Sequence, residues 1–158
     1  MSCAIRRMHA GDLDAVLVLE QNIPEAPHWS REAYEHCVAP GEAASLLRAG
    51  FVAEADGKIA GFSIAKLVAG VCELESVAVA PEVRGSGLGS ALISAVTAWA
   101  REHGADRIEL EVRASNVRAI RLYERAGLRR EGLRTGYYHS PDEDAVLMGV
   151  SLSGGKLS

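Results

Sequence analysis

The sequence predicts an α/β domain built on a twisted, mixed β-sheet flanked by helices, and three observations predict it. Strand-like and helix-like patterns interleave as strand, helices, three strands, helix, strand, helix, two strands, which is not a regular βαβ repeat. The 158 residues, 48% hydrophobic and 24% charged, suit one soluble core. A glycine-dense turn at residues 84–89 joins an apolar strand pattern directly to an amphipathic helical one.

In chain order, residues 4–8 read as a short first strand. Gly11 or Asp12 starts a helix in which Leu13, Val16, Leu17 and Leu19 share a face. Residues 22–28 carry two prolines and read as a loop. Ser30 is placed to cap a second helix reaching Val38, and Pro40-Gly41 ends it. Residues 42–49 are helical by composition but short, so their state stays open. Residues 51–55 and 58–68 form a hairpin around Asp56-Gly57, a pair that accepts the positive φ angles of a tight turn. A brief loop at Ala69-Gly70 leads to a strand over residues 74–80, which Pro81 stops.

The next helix buries Leu88, Leu92, Val96 and Trp99, spaced by helical turns, and His103-Gly104 closes it. Residues 107–113 alternate: Ile108, Leu110 and Val112 point one way, Glu109 and Glu111 the other. Ser115 or Asn116 caps a helix through Ala126 with Ala119, Ile120, Leu122 and Tyr123 as its apolar positions, and Gly127 ends it. Residues 128–138 and 145–152 make a last strand pair around the polar loop 139–144. One domain over residues 1–152 and a small polar tail, 153–158, account for the chain.

Composition excludes several classes. A net charge of −4 gives no nucleic-acid footprint. The three cysteines, Cys3, Cys37 and Cys72, form no CxxC pair and read as reduced thiols of a cytoplasmic protein. The five histidines show no metal-ligand spacing, no apolar run is long enough to span a membrane, and acidic residues bracket the only N-terminal apolar run, unlike a signal peptide.

The glycine turn carries the chemistry. A strand, a turn rich in glycine and a helix start together make a backbone anion site, because main-chain N–H groups can approach a phosphate and the helix dipole adds positive potential. The expected ligand carries a pyrophosphate. It is not a P-loop, since Ser90 and Ala91 follow Gly89 where Lys-Ser/Thr is needed. It is a poor dinucleotide fingerprint, since Gly85 and Gly87 fit but Ser90 stands at the third glycine position, although Glu109 lies at a suggestive distance downstream. A plain glycine-rich turn is the bland alternative.

The pattern R-x-x-G-x-G over residues 84–89 resembles the coenzyme A pyrophosphate loop of the GCN5-related N-acetyltransferases. With LEVRASNVRAIRLYERAG over residues 110–127, the Tyr137-Tyr138 pair, DEDAVLMGVSL and Trp29-Ser30, the chain is similar to the branch that acetylates the N-terminal alanine of a small-subunit ribosomal protein. The match is dense over residues 74–152. Three positions depart from that branch: His28 interrupts Pro27 and Trp29, Leu128 replaces an aromatic, and Gly136 replaces a polar residue.

The resemblance implies an acetyl-CoA-dependent transfer to a protein α-amine by direct attack in a ternary complex, with no acyl-cysteine and no metal. It implies that the strands 74–80 and 107–113 splay apart around the pantetheine arm. Val77, Ala78 and Val79 would offer strand N–H groups to the coenzyme. Arg84, Gly85, Ser86, Gly87, Leu88, Gly89 and Ser90 would hold its pyrophosphate, with the Arg84 N–H in the nest, and Asn116 would contact it beyond capping its helix. Glu111 matches the general base, with Glu75 and then Glu73 as rivals. Its residue-level alternative is a solvated strand face. Tyr123 matches the general acid; its alternative is core packing, and a packed ring with an exposed hydroxyl satisfies both. Trp29, Tyr137 and Tyr138 would border the acceptor or simply pack. Other expectations kept open are a small-molecule amine as acceptor and a non-catalytic acyl-CoA sensor. The partner implied is a protein N-terminus, with neither nucleic acid nor membrane.

Overall fold

The computed structural model describes residues 2–24, 26, 28–38 and 46–152. The Pro40-Gly41 stop, the first half of the ambiguous segment 42–49, Pro27 and the tail 153–158 lie outside the described residues. Seven strands form one mixed sheet in the order β1-β2-β3-β4-β5-β7-β6. They are β1 (Cys3–Arg7), β2 (Leu47–Ala55), β3 (Lys58–Val68), β4 (Val71–Val79), β5 (Arg107–Arg113), β6 (Arg129–Tyr138) and β7 (Glu143–Ser151). The helices are α1 (Leu13–Gln21), α2 (Arg31–Val38), α3 (Leu88–Glu102) and α4 (Val117–Arg125). The predicted element order holds throughout.

β1 and β7 begin one and two residues earlier than the sequence predicts, and β2 and β4 begin earlier still. β2 starts at Leu47, because Leu47–Ala49 pairs with Ala65–Leu67 of β3, a partner no local propensity reveals. β4 starts at Val71, because Ala69 (φ 51°) and Gly70 (φ 83°) turn the chain as tightly as Asp56 (φ 52°) and Gly57 (φ 83°) do. α1 is preceded by a 3-10 turn, Ala10–Asp12. Asp12 holds that entry: its carboxylate accepts the His9 N–H at 2.7 Å and two Arg6 hydrogen bonds at 2.8 and 2.9 Å.

The sheet has two different faces. One side packs α3 and α4 through Leu88, Leu92, Val96, Trp99, Ile120 and Tyr123 against Leu74, Ile108, Leu110, Val112, Val146 and Met148. The predicted four-, four- and three-residue spacing along α3 is the buried stripe. Fully burying each such aliphatic side chain stabilises the fold by about 1.5–3 kcal/mol. The other side packs α1 and α2 through Leu13, Val16, Tyr34 and Cys37 against Val52, Phe62, Ile64 and Ala78. That helical cover rests mainly on β2 and β3.

β4 changes faces midway. Ile64 pairs with Ser76 while Ala65 pairs with Leu74, so Glu75 is the extra residue of a β-bulge. Before it, Cys72 and Leu74 face α3; after it, Ala78 faces α1 and α2. Beyond the bulge β4 also leaves β5. Their parallel ladder covers only Val71–Glu73 against Arg107–Glu109, although β4 runs on to Val79 and β5 to Arg113. The two central strands diverge there, as expected, and open a gap through the sheet.

Candidate active site

The turn after β4 is built to leave donors free. Gly87 is the N-cap of α3 with a left-handed φ of 89°, and no side chain caps the helix. Gly85 is left-handed too, at φ 84°. A Cβ at either would meet nothing within 4 Å, so the backbone conformation, not crowding, calls for glycine here. Gly89 answers a different need: a Cβ there would come within 3.0 Å of the Leu122 side chain, so it lets α3 and α4 approach. The uncapped first turn of α3 can therefore take an anion. One expectation is corrected. The Arg84 N–H does not join the nest but donates to the Pro81 carbonyl at 3.3 Å, closing the 3-10 turn Pro81–Val83. The Ser86 N–H likewise donates to Val83 at 3.3 Å, and Arg84 Nε donates to the Val79 carbonyl at 3.3 Å.

Val77, Ala78 and Val79 pair with Ser63, Phe62 and Gly61 of β3 on one edge. On the β5 edge, among the described residues, no strand pairs with them. Asn116 caps α4 with its Oδ1 accepting the Ala119 N–H at 3.2 Å, which settles the choice between Ser115 and Asn116.

Glu111 lies on β5 beyond the last β4–β5 pair, on the face away from Leu110 and Val112. Its carboxylate is 3.1 Å from Arg134 Nη1. Glu111 is the first cause holding the Tyr137 phenol above its ordinary range, with burial adding to it. Tyr137 and Tyr138 meet edge to face at 5.0 Å. Arg134 lies over the Tyr137 ring at 4.9 Å and Arg113 over the Tyr138 ring at 4.3 Å.

Tyr123 is buried among the α3–α4 core residues, and burial pushes its phenol up to about 12, with Tyr138 adding to the shift. Its neighbours Leu110 and Val112 face the helices, whereas Glu111 faces the other way. Glu111 and Tyr123 thus lie on opposite sides of the sheet, flanking the gap. The rival Glu75 is tied up: Arg48 and Lys66 stand 3.4 and 3.7 Å from it. Arg48 Nη2 donates to Glu75 Oε2 at 3.4 Å, while Arg48 Nε and Glu75 Oε1 are buried without a hydrogen bond. Glu73 pairs with Lys66 at 3.3 Å.

Trp29 sits before α2 beside a cavity of about 170 Å³ that Ser30, Ala33 and Arg48 complete. Its place is fixed by Glu20, a buried carboxylate that accepts the Tyr34 hydroxyl at 2.7 Å and the Trp29 N–H at 3.2 Å. His28 is left-handed at φ 57° immediately before Trp29. Sequence reasoning misses Glu20, Arg48 and Arg134. Only Gly136, an isolated glycine inside a strand, carried a signal for the last of them. Among the described residues no group of three or more His, Cys, Asp or Glu could hold a metal, and no helix is long and apolar enough to cross a membrane.

A sheet opened between two parallel strands, with a free anion cradle at the helix that follows, defines an acyl-coenzyme A transferase. The chain belongs to the acetyltransferase (GNAT) family, whose sequence model matches residues 15–128. It is an acetyl-CoA-dependent N-acetyltransferase. The ribosomal protein bS18-alanine N-acetyltransferase of Escherichia coli (strain K12) is 33% identical over 151 residues, 94% of this chain and 97% of its own. Its crystal structure matches with a TM-score of 0.79 over 99% of both chains. Nourseothricin acetyltransferase matches at 28% identity and a TM-score of 0.76, over 96% of this chain and 99% of its own. Arabidopsis thaliana NAA60 in complex with acetyl-CoA shares the fold at 21% identity and a TM-score of 0.84, over 98% of this chain and all of its own.

Proposed function

We propose that this enzyme acetylates a protein N-terminal α-amine, that of an alanine at the start of a small-subunit ribosomal protein, in the cytoplasm. The observation that carries this reading is the similarity to the E. coli bS18-alanine enzyme along nearly the whole of both chains. The geometry supports the following roles. Gly85, Ser86, Gly87, Leu88, Gly89 and Ser90 cradle the pyrophosphate, with the Arg84 side chain beside it. Val77 and Val79, on either side of Ala78, offer donors to the pantetheine arm on the unpaired edge, and Asn116 borders it. Trp29, Tyr137 and Tyr138 border the acceptor.

The acceptor reaches the gap from the face that carries Glu111. An α-amine has a pKa of about 8, so relaying its proton to a carboxylate near neutrality is an easy step. The amine nitrogen then attacks the thioester carbonyl. A C–N bond forms, the C–S bond breaks, and the thiolate takes its proton from Tyr123 across the gap. The burial that keeps Tyr123 protonated also makes it a weaker acid than a free phenol. The nascent thiolate suffers the same desolvation, which raises its own demand for a proton and offsets that loss.

The test is a panel of peptides differing in their first residues beside a set of small amines, with the acetyl group located by fragmentation. Preferential modification of the α-amine of an Ala-initiated ribosomal peptide is expected. Preference for a small amine would replace this acceptor with the second class, which the similarity to nourseothricin acetyltransferase favours. Coenzyme binding without turnover on any amine would leave a sensor.

A further inference from the structure

The edge strand β6 is misshapen at one place, and that place bears on Glu111. Arg134 pairs with Ala145 and Tyr138 with Glu143, so three residues of β6 oppose the single Asp144 of β7. Gly136 makes the detour with a left-handed φ of 65°, and its N–H donates to Asp144 Oδ1 at 2.8 Å. A side chain would strain that backbone. Arg134, before the bulge, pairs with the Glu111 carboxylate at 3.1 Å and lies over the ring of Tyr137, which is within the bulge, at 4.9 Å. A regular strand would send residues 134 and 137, an odd number apart, to opposite faces. The bulge sets both on the same face.

We propose that Arg134, backed by the Tyr137 ring that the Gly136–Asp144 bulge turns toward it, is a positioning residue that holds the Glu111 carboxylate aimed at the gap. This rests on the reading of Glu111 as the base. A guanidinium paired with a carboxylate fixes its rotamer, leaving the remaining lone pairs for the ammonium or its relaying water. The setting is crowded with charge: Glu109 and Arg113 flank Glu111 on β5, Glu73 and Glu75 face the same side from β4, and Tyr138 stands beside Tyr137 on β6. β7 offers Leu147 opposite Glu111 and, further along the same face, Glu143, which pairs with Arg113 at 3.3 Å. Removing Arg134 takes a positive charge from beside Glu111 and leaves it among carboxylates.

The experiment is the pH dependence of kcat/KM for the acceptor peptide in Arg134→Gln, Arg134→Lys, Asp144→Ala and Glu111→Gln, and in the Arg134→Gln/Glu111→Gln double variant, with coenzyme binding checked in each. In Arg134→Gln the acidic limb moves up by roughly half to one pH unit, a modest shift because the arginine is half exposed. Activity below pH 7 falls by about three- to ten-fold in consequence. Arg134→Lys restores most of the limb, and Asp144→Ala reproduces a part of the shift by loosening the bulge. In the Glu111→Gln background the Arg134→Gln change adds nothing. An unmoved limb in a folded, coenzyme-binding Arg134→Gln protein, or the same loss with and without Glu111, would overturn the proposal. Wild-type activity in Glu111→Gln would remove the base itself, and with it any object for the clamp, whatever Arg134 does.

Discussion

Over β2 and β3, the sheet face beneath α1 and α2 is closed and apolar, with Phe62, Ile64 and Val52 fully buried. The same face continues over β4, β5 and β6 with Glu73, Glu75, Glu109, Glu111, Arg107 and Arg134. One half is organised to be stable and the other to be reached. The boundary is the Glu75 bulge, where β4 turns its apolar side over and then parts from β5. Charged groups on the open half keep their solvation, and a gap beside them costs little stability. The same gap on the covered half would cost several kcal/mol of lost packing.

The largest expected effects fall on the open half. Tyr123→Phe keeps the ring and removes the proton donor, so turnover drops by roughly ten- to ten-thousand-fold while the melting temperature hardly moves. Glu111→Gln loses activity most at low pH and recovers as pH rises, because the amine then arrives deprotonated. Glu75→Gln is the control: paired with Arg48 and Lys66, it should show no such rescue pattern. The pH–rate profiles of the three variants at saturating acetyl-CoA decide this, and a silent Glu111→Gln beside a crippled Glu75→Gln would transfer the base to β4. Next comes Gly87→Val. At φ 89° a β-branched residue strains the cradle, so acetyl-CoA affinity falls by about ten- to a hundred-fold or more in a folded protein, as calorimetry would show.

On the covered half the order reverses. Phe62 is fully buried and meets the Tyr34 ring edge to face at 5.8 Å. Phe62→Ala should cost about 3–5 kcal/mol in denaturant unfolding, with turnover of the folded enzyme changed little. A turnover loss as large as that of Tyr123→Phe would erase the contrast between the halves.

Much of the contrast was legible in the sequence. The α3 stripe, the β5 alternation and the glycine turn are local patterns whose period or φ requirement shows in the residues themselves. The misses are residues whose partner lies far along the chain. Leu47–Ala49 has helix-like composition and becomes strand only by pairing with β3. Glu20 sits on α1 looking like a surface glutamate, and is buried because Tyr34 and the Trp29 N–H converge on it. Arg134 looks like an exposed edge-strand charge until its pairing with Ala145 sets it on the face of Glu111.

A smaller effect, confined to pH, tests the entry to α1. Arg6 first, then the His9 N–H, holds the Asp12 carboxyl below its usual range against the opposing effect of burial. A depressed native pKa stabilises the fold at pH values above the unfolded pKa of about 3.9, and that contribution disappears as pH falls through the native value. Asp12→Asn should therefore lower stability at neutral pH, with its deficit shrinking on acidification below about pH 4. A deficit that stays constant from pH 7 to pH 3 would make Asp12 a steric cap only.

The smallest effect on activity is expected from the cysteines, which straddle both halves. Cys37 is buried under α2 and Cys72 in the α3 core, and burial pushes their thiols up to about 11 and about 12. At neutral pH both are protonated and neither is a competent nucleophile. Cys3 is exposed, on the edge strand β1. Direct attack by an amine needs no thiol. Replacing the two buried thiols by serine would bury hydroxyls in apolar surroundings, so alanine is the cleaner substitution. The triple Cys→Ala variant should keep turnover within about two-fold while losing roughly 1–3 kcal/mol of stability, since small cavities form at residues 37 and 72. Intact-mass measurement after mixing wild-type enzyme with acetyl-CoA, quenched in acid before the acceptor is added, supplies the decisive outcome. An acetyl adduct on any of the three cysteines that forms and decays as fast as turnover would replace direct transfer with a two-step mechanism. The proposed roles of Glu111 and Tyr123 would then have to be divided between its two steps.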